Sequence, residues 1–511
     1  MQLDEKIGQL FVAGARGLFM SESSSAYRQM LHHVRDHHIG GFIWFLSNVY
    51  ETALLIRRLN QESKIPLLCS ADLEAGVGMR FLDTTFWPSA MAIAATGDVS
   101  YAEQAGRVVA REAKAIGINH VLAPVADVNV NAGNPVINTR SFGEDPQEVA
   151  RYVAAMVRGI QSEGVLACAK HFPGHGDTRV DSHRALPVLH VTRERLDAVE
   201  LVPFRAAIDA GVKSVMMGHL AVPALDDEPA PVRGVVVNPY GTRADEVTQN
   251  GTMPATVSPK MIALLREELQ FGGLVVTDSF DMGGLAEHFD TGEACVRAIE
   301  AGEDQILMPM DIDAAIAAVK DAVACGRIRE SRIDESVQRI LAAKSFARTA
   351  VPDPEEIFRT IDSPQHRALA EEIGQRAVTL VKGTLPIRGT VTLMVVSDTA
   401  DVTLADFERE LRKRTRVETS LDAPSDHFVL ALALRARSGA GSIAVPQRIR
   451  DLALPPGTVA VSFGSPYVIR ELPNVRTYLC AYGIQPVMQV AVARALFGEA
   501  PVTGRLPVTS P

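Results

Sequence analysis

Residues 165 to 183 read VLACAKHFPGHGDTRVDSH. Five apolar residues run without a polar break, Lys170 and His171 follow at once, and proline and glycine then turn the chain out of any regular element. A strand with no alternation of polar and apolar side chains is buried on both faces, which is the condition of a strand inside a parallel sheet covered by helices. The stretch before it, DPQEVARYVAAMVRGIQSEG (145 to 164), carries apolar residues at helical spacing, with Asp145 placed as an N-cap and Pro146 at the first helical position. Helix, then buried strand, then a loop loaded with reactive groups is one unit of an α/β fold.

The same unit recurs along the first two thirds of the chain. Eight apolar runs read as strands: 9 to 14, 41 to 47, 66 to 72, 120 to 127, 165 to 172, 214 to 220, 274 to 280 and 305 to 311. Helical patterns separate them, so the spacing predicts a (β/α)8 barrel of the TIM type. A doubly wound open sheet satisfies the same periodicity. After the helical segment RIDESVQRILAAKSFA the polar, proline-bearing stretch VPDPEEIFRTIDSPQ reads as a linker, giving a catalytic barrel over 1–348, a linker over 349–365 and a smaller α/β sandwich domain over 366–511.

At 511 residues, 47% hydrophobic and 22% charged, the chain has ample material for two cores and an ordinary globular balance. Its net charge of −10 gives no footprint for a nucleic-acid backbone or an anionic bilayer, and no apolar run approaches the length of a membrane span. The opening MQLDEKIGQLFVAG lacks the basic and long apolar regions of a secretory signal, so a cytoplasmic location is expected. Five cysteines, odd in number and widely spaced, read as reduced thiols rather than a disulfide frame or a zinc pair.

In a barrel the βα loops converge at the carboxyl ends of the strands. Asp72 ends the third expected strand, Lys170 and His171 the fifth, His219 the sixth and Asp278 the seventh, while Arg140 lies in the loop NPVINTRSFGEDP after the fourth. Asp181 and His183, two apart in an irregular loop, suit a carboxylate that fixes the tautomer of a proton-transferring imidazole. Asp278 is a carboxylate on a rigid apolar strand, as a nucleophile requires, although a cap on the following helix is the plainer alternative and Asp281 is a competing carboxylate. Displacement at an anomeric carbon needs a carboxylate on one face and a proton donor on the other, which Asp278 and His183 supply.

A metal reading of His171, His175, Asp177, Asp181 and His183 finds no spacing that dictates ligand geometry, and neither metal nor cofactor is expected. Backbone bonding would account for His171 or His175 singly but not for the cluster. Two further charged runs, LHHVRDHH (31 to 38) and RELRKRTR (409 to 416), read as solvated helix faces.

KHFPGHGDTRVDSH, NPVINTRSFGEDP and VVTDSFDM together resemble glycoside hydrolase family 3, in its β-N-acetylglucosaminidase (β-N-acetylhexosaminidase) branch, over residues 1 to 348. The resemblance implies a retaining double displacement with Asp278 as nucleophile and His183, paired with Asp181, as acid and then base. It also implies that Asp72 and Arg80 of DLEAGVGMR, Arg140, Lys170 and His171 bind the sugar, with His219 near the same subsite. The implied activity is an exo-acting β-N-acetylglucosaminidase acting on a small cell-wall glycan, muropeptide or chitin fragment, working as a monomer or homodimer. A phosphorylase or β-glucosidase of the same family and a silent carbohydrate-binding sensor are the alternatives. Ala75 and Val77 depart from the family's usual glycine and basic residue, and the segment 226–252 is longer than usual.

Overall fold

The computed structural model describes residues 1–509 apart from 83, 234–251, 348–351, 401, 421–422 and 437–442. Most of the long 226–252 segment and the first residues of the expected linker therefore lie outside the described residues.

Eight parallel strands close into a barrel: β1 Phe11–Arg16, β2 Gly41–Phe45, β3 Leu68–Ala71, β4 His120–Val121, β5 Leu166–Phe172, β6 Ser214–Met217, β7 Leu274–Ser279 and β8 Gln305–Leu307. Each strand lies beside its neighbours in sequence, and β1 meets β8 with Phe11 opposite Ile306 and Val12 opposite Leu307. The open doubly wound sheet is thereby excluded. All seven residues of β5 are buried, as an unbroken apolar run requires. The helix Pro146–Gln161 starts as its sequence dictates, the Asp145 carboxylate accepting bonds from the Gln147 and Glu148 N–H groups, both at 2.9 Å.

The fourth strand is much shorter than its apolar run of 120 to 127. Pro124 has no N–H to give to a ladder, so regular pairing ends at Val121. The chain nevertheless stays extended beside β5, with Ala126 N–H donating to the Lys170 carbonyl and Lys170 N–H to that of Pro124. This carries Asp127 to the barrel mouth.

A second, six-stranded sheet follows: β9 Thr379–Lys382, β10 Val391–Ser397, β11 Val417–Glu418, β12 His427–Ala433, β13 Val459–Ser462 and β14 Thr477–Cys480, in the order β9-β14-β13-β12-β10-β11. Only the β9–β14 pair is antiparallel. Its core is separate from that of the barrel but takes in Met91, Ala92 and Ala95 from a barrel helix. The stretch expected as a linker carries a helix, Pro354–Thr360, capped by the Asp353 carboxylate.

The basic run 409–416 is paired with acids, Arg412 to Glu408, Arg414 to Glu410 and Glu499, and Arg416 to Glu418, which fits the solvated-face reading. LHHVRDHH departs from that reading. It ends the helix Ser25–Arg35, but His33 is buried and His32 and His37 turn toward Asp313 across the surface. Among the described residues no helix is long and apolar enough to cross a membrane.

Candidate active site

A cavity of about 940 Å³ opens at the carboxyl ends of the barrel strands, and Asp72, Arg80, Arg140, Lys170, His171, His183 and Asp278 all reach its wall. Asp181 stands directly behind His183.

One side is an ionic lattice. Lys170, only 2% exposed, places Nζ 2.7 Å from Asp72 Oδ1 and 2.6 Å from Glu74 Oε1. Arg80 Nη2 reaches Asp72 Oδ2 at 2.8 Å, and Arg140 holds Glu74 through two bonds of 2.8 Å, from Nε and Nη2. Burying an ammonium group is costly unless it is paired, and here two carboxylates flank it. Burial alone would neutralise Asp72 and Glu74. The neighbouring cations outweigh it, Lys170 and Arg80 for Asp72 and Arg140 and Lys170 for Glu74, and hold both carboxyls well below the usual carboxylate range. The same carboxylates raise Lys170 against its desolvation, so the lattice is charged throughout neutral pH.

His171 is set by Asp127, a fully buried carboxylate at the end of the shortened fourth run. The His171 Nδ1–H donates to Asp127 Oδ2 at 2.7 Å, and the backbone N–H of His175 reaches Asp127 Oδ1 at 2.6 Å. Nε2 of His171 is then the accepting nitrogen, 3.5 Å from Arg140 Nη2. His175 itself is pushed down to about 4 by burial and by His171, stays neutral, and bonds the hydroxyls of Thr178 (2.6 Å) and Ser182 (3.0 Å). It shapes the loop rather than reacting. Glycine is obligatory in that loop: Gly174 has φ +135°, and a Cβ on Gly176 would lie 1.8 Å from the Val128 carbonyl oxygen.

His183, with Asp181 behind it, and Asp278 face the same space. His183 Nδ1–H donates to Asp181 Oδ1 at 2.8 Å, and the His183 backbone N–H donates to the same oxygen at 3.0 Å, so the Asp181 carboxylate fixes both ring and main chain. Asp278 lies in β7 and accepts the Ser279 N–H at 2.9 Å. Burial opposes its ionisation, but the fields of His171, His219 and His183 and the Ser279 bond lower it overall, leaving an ionised carboxylate in the cavity wall. Asp281 differs. Burial pushes it up, and its carboxylate accepts the Ser279 hydroxyl at 2.7 Å. Gly283 and Gly284 donate to the carbonyls of His183 and Ser182, so the two halves of the site are tied main chain to main chain.

His219 does not take the position expected of it. It is fully buried, Nε2–H donates to the Ser279 carbonyl at 2.9 Å and Nδ1 meets the Thr256 hydroxyl at 2.7 Å. With both nitrogens engaged it braces the strand end carrying Asp278 and does not line the cavity. Glu74 and Asp127 are the groups that sequence reading missed; Asp127 had a signal, since it closes an apolar run, whereas Glu74 lies in the loop beyond β3.

The second sheet also aims its carboxyl ends at this cavity, contributing Arg435 after β12 and Tyr482 and Gln485 after β14. Three of the wall residues, Leu46, Met308 and Tyr482, hold positive φ (21°, 52° and 60°), a costly backbone state for such side chains that concentrates at functional sites.

A closed (β/α)8 barrel with charged groups and histidines gathered at the carboxyl ends of its strands places the candidate site where enzymes of this architecture carry theirs. The family model of the glycosyl hydrolase family 3 N-terminal domain matches residues 2–343, and the chain belongs to that family of glycoside hydrolases. A β-N-acetylglucosaminidase/β-glucosidase from Cellulomonas fimi is 34% identical over 99% of this chain and 93% of its own. Among solved structures, a family 3 β-N-acetylglucosaminidase from Paenibacillus sp. str. FPU-7 superposes with a TM-score of 0.85 at 33% identity, covering 100% of this chain and 99% of its own. The β-glucoside phosphorylase BglX bound to 2FGlc gives 0.87 at 26% identity, covering 100% and 94%.

Proposed function

We propose that the chain is a retaining, exo-acting β-N-acetylglucosaminidase that releases terminal N-acetylglucosamine from small cell-wall or chitin-derived glycans. The observation that carries this reading is that Asp278 and His183 line one cavity, with Asp181 bonded behind His183 and the ionic lattice of Asp72, Glu74, Lys170, Arg80 and Arg140 beside them. The names of the relatives support the substrate class.

Asp278, ionised, attacks the anomeric carbon. His183 gives its Nε2 proton to the departing oxygen, and Asp181 holds the ring while charge changes on it. Water, deprotonated by the same nitrogen, then breaks the glycosyl ester and restores Asp278. Lys170, Arg80, Arg140 and His171 bind ring hydroxyls, and the lattice leaves them little freedom to lose on binding. The barrel, 1–348, carries this chemistry, the segment 349–365 connects it, and residues 366–511 cover one side of the cavity.

Release of p-nitrophenol from its β-N-acetylglucosaminide, with a panel of N-acetylgalactosaminide, glucoside and xyloside, tests the assignment. No turnover of the N-acetyl substrate by the native protein would defeat it. A second reading, transfer to phosphate, has its own support: the base is an imidazole, which when neutral does not repel an anion, and one structural relative is named as a phosphorylase. Formation of a sugar 1-phosphate when phosphate is present would establish that reading instead.

A further inference from the structure

Away from the cavity, three side chains from opposite ends of the barrel sequence converge. His32 and His37 come from the end of the helix that follows β1, and Asp313 from the first turn of the helix Ile312–Ala324 that follows β8. One donor atom from each lies within 4.8 Å of the other two. Asp313 Oδ1 is 3.4 Å from His32 Nε2 and 2.6 Å from His37 Nε2, and the two rings meet edge to face at 4.6 Å between centroids.

The two histidine–carboxylate distances lie close to those of a tetrahedral metal site. Ligand atoms bound to zinc at its usual bond lengths are separated by about 3.3 Å, so the His32 pair is already in place and the His37 pair needs to open by less than about 1 Å. His32 is also prepared in its outer contact: its Nδ1 bonds Asp36 Oδ2 at 2.6 Å, which leaves Nε2 as the nitrogen that meets Asp313 and that a metal would take on displacing its proton. A carboxylate behind a ligating histidine is the usual support of such a ligand. Two imidazoles and one carboxylate select a borderline transition metal over magnesium or calcium, which prefer oxygen throughout.

We propose that His32, His37 and Asp313 bind a zinc-class divalent ion, with water completing the shell, and that the ion staples the first and last repeats of the barrel where it closes. The seam it spans is thin. β1 and β8 share two paired positions, whereas β1 and β2 share five, so a cross-link between the helices outside that seam reinforces a join with little strand pairing of its own. An ion bound by the folded form and not by the separated segments stabilises in proportion to its occupancy.

The test uses the full-length, tag-free protein stripped with chelator. Zinc is titrated calorimetrically, and Tm is followed with zinc, magnesium and calcium in parallel. Binding of about one zinc per chain and a Tm rise of roughly 2–5 °C at saturation are expected, with no rise from magnesium or calcium. His37→Ala/Asp313→Asn, at side chains 18% and 62% exposed, should abolish both effects while leaving the metal-free Tm and circular dichroism near those of the native chain. If that variant unfolds, Asp313→Asn alone serves the same purpose. His190→Ala, at an exposed histidine remote in sequence, should change nothing. Absence of binding, or binding that survives in the double variant, overturns the proposal.

Discussion

Two regions of this molecule are rich in histidine, and both pair histidine with aspartate at nearly the same distance. At the end of β5 and in the loop after it, His171 meets Asp127 at 2.7 Å and His183 meets Asp181 at 2.8 Å; at the helix end after β1, His32 meets Asp36 and His37 meets Asp313, each at 2.6 Å. The pair is therefore no signature of catalysis. What distinguishes the loop is its surroundings: glycines that admit a close main-chain approach, buried carboxylates that cannot turn away, and Asp278 on the same cavity wall. At the helix end the partners stand in water, where a histidine–carboxylate pair adds little and is free to exchange one partner for another.

The sharpest way to break the comparison is to remove what only the loop region has beside it. Asp278→Asn should lower kcat on p-nitrophenyl β-N-acetylglucosaminide by roughly 10⁴-fold or more, as loss of a nucleophile does, with the fold intact by circular dichroism. Next comes the matched pair of imidazole removals. His183→Gln should cost roughly 10²–10⁴-fold on a natural disaccharide and far less on an activated aryl glycoside, which needs no proton, whereas His37→Gln should leave both rates at the native value. Equal losses on the two substrates would remove His183 from the acid role.

A smaller effect is expected from the carboxylates that hold histidines. Asp127→Asn should lower kcat/KM by roughly 10–100-fold by loosening His171, and Asp36→Asn should leave it unchanged. The pH profile of Tm gives the mildest contrast. His120 and His175, buried and neutral at about 3 and about 4, bind fewer protons folded than unfolded, so stability is lost as pH falls below about 6.5, by about 2 kcal/mol for each at pH 5. His32 runs the other way. Its bond to Asp36 raises it, so its contribution is complete below pH 6.5 and fades as pH rises through its folded value. Tm should therefore fall as pH drops below about 6.5, with the same slope in His32→Ala, which lacks only the gain that the native chain makes as pH descends to about 6.5.

Much of this was legible in the chain. The eight apolar runs mark all eight barrel strands, because a strand buried on two faces cannot hide its composition, and Asp72, Lys170, His171 and Asp278 stand at strand ends where the rule for barrels puts them. Boundaries were poorer where one residue overrules a pattern: Pro124 ends β4 although the apolar run continues. Glu74 escaped notice because an acid in a loop says nothing of the two arginine bonds and the lysine it holds. His219 misled for the opposite reason, since a strand-end histidine looks reactive until Thr256 and the Ser279 carbonyl are seen to occupy its nitrogens. Arg435, Tyr482 and Gln485 could not be found in advance, because only the docking of one sheet on the other brings them to the cavity.

The closure of the barrel also sets an order of events in synthesis. Phe11 waits for Ile306, 295 residues later, and at 5–20 residues per second that interval is roughly 15–60 s. Throughout it, one edge of β1 has β2 beside it and nothing on the other side, an open row of backbone donors and acceptors on an apolar strand. The nascent chain is thus most exposed to mispairing at its first strand, and substitutions that slow the arrival or folding of β8 should be felt as lost yield of folded protein long before they are felt in the finished enzyme.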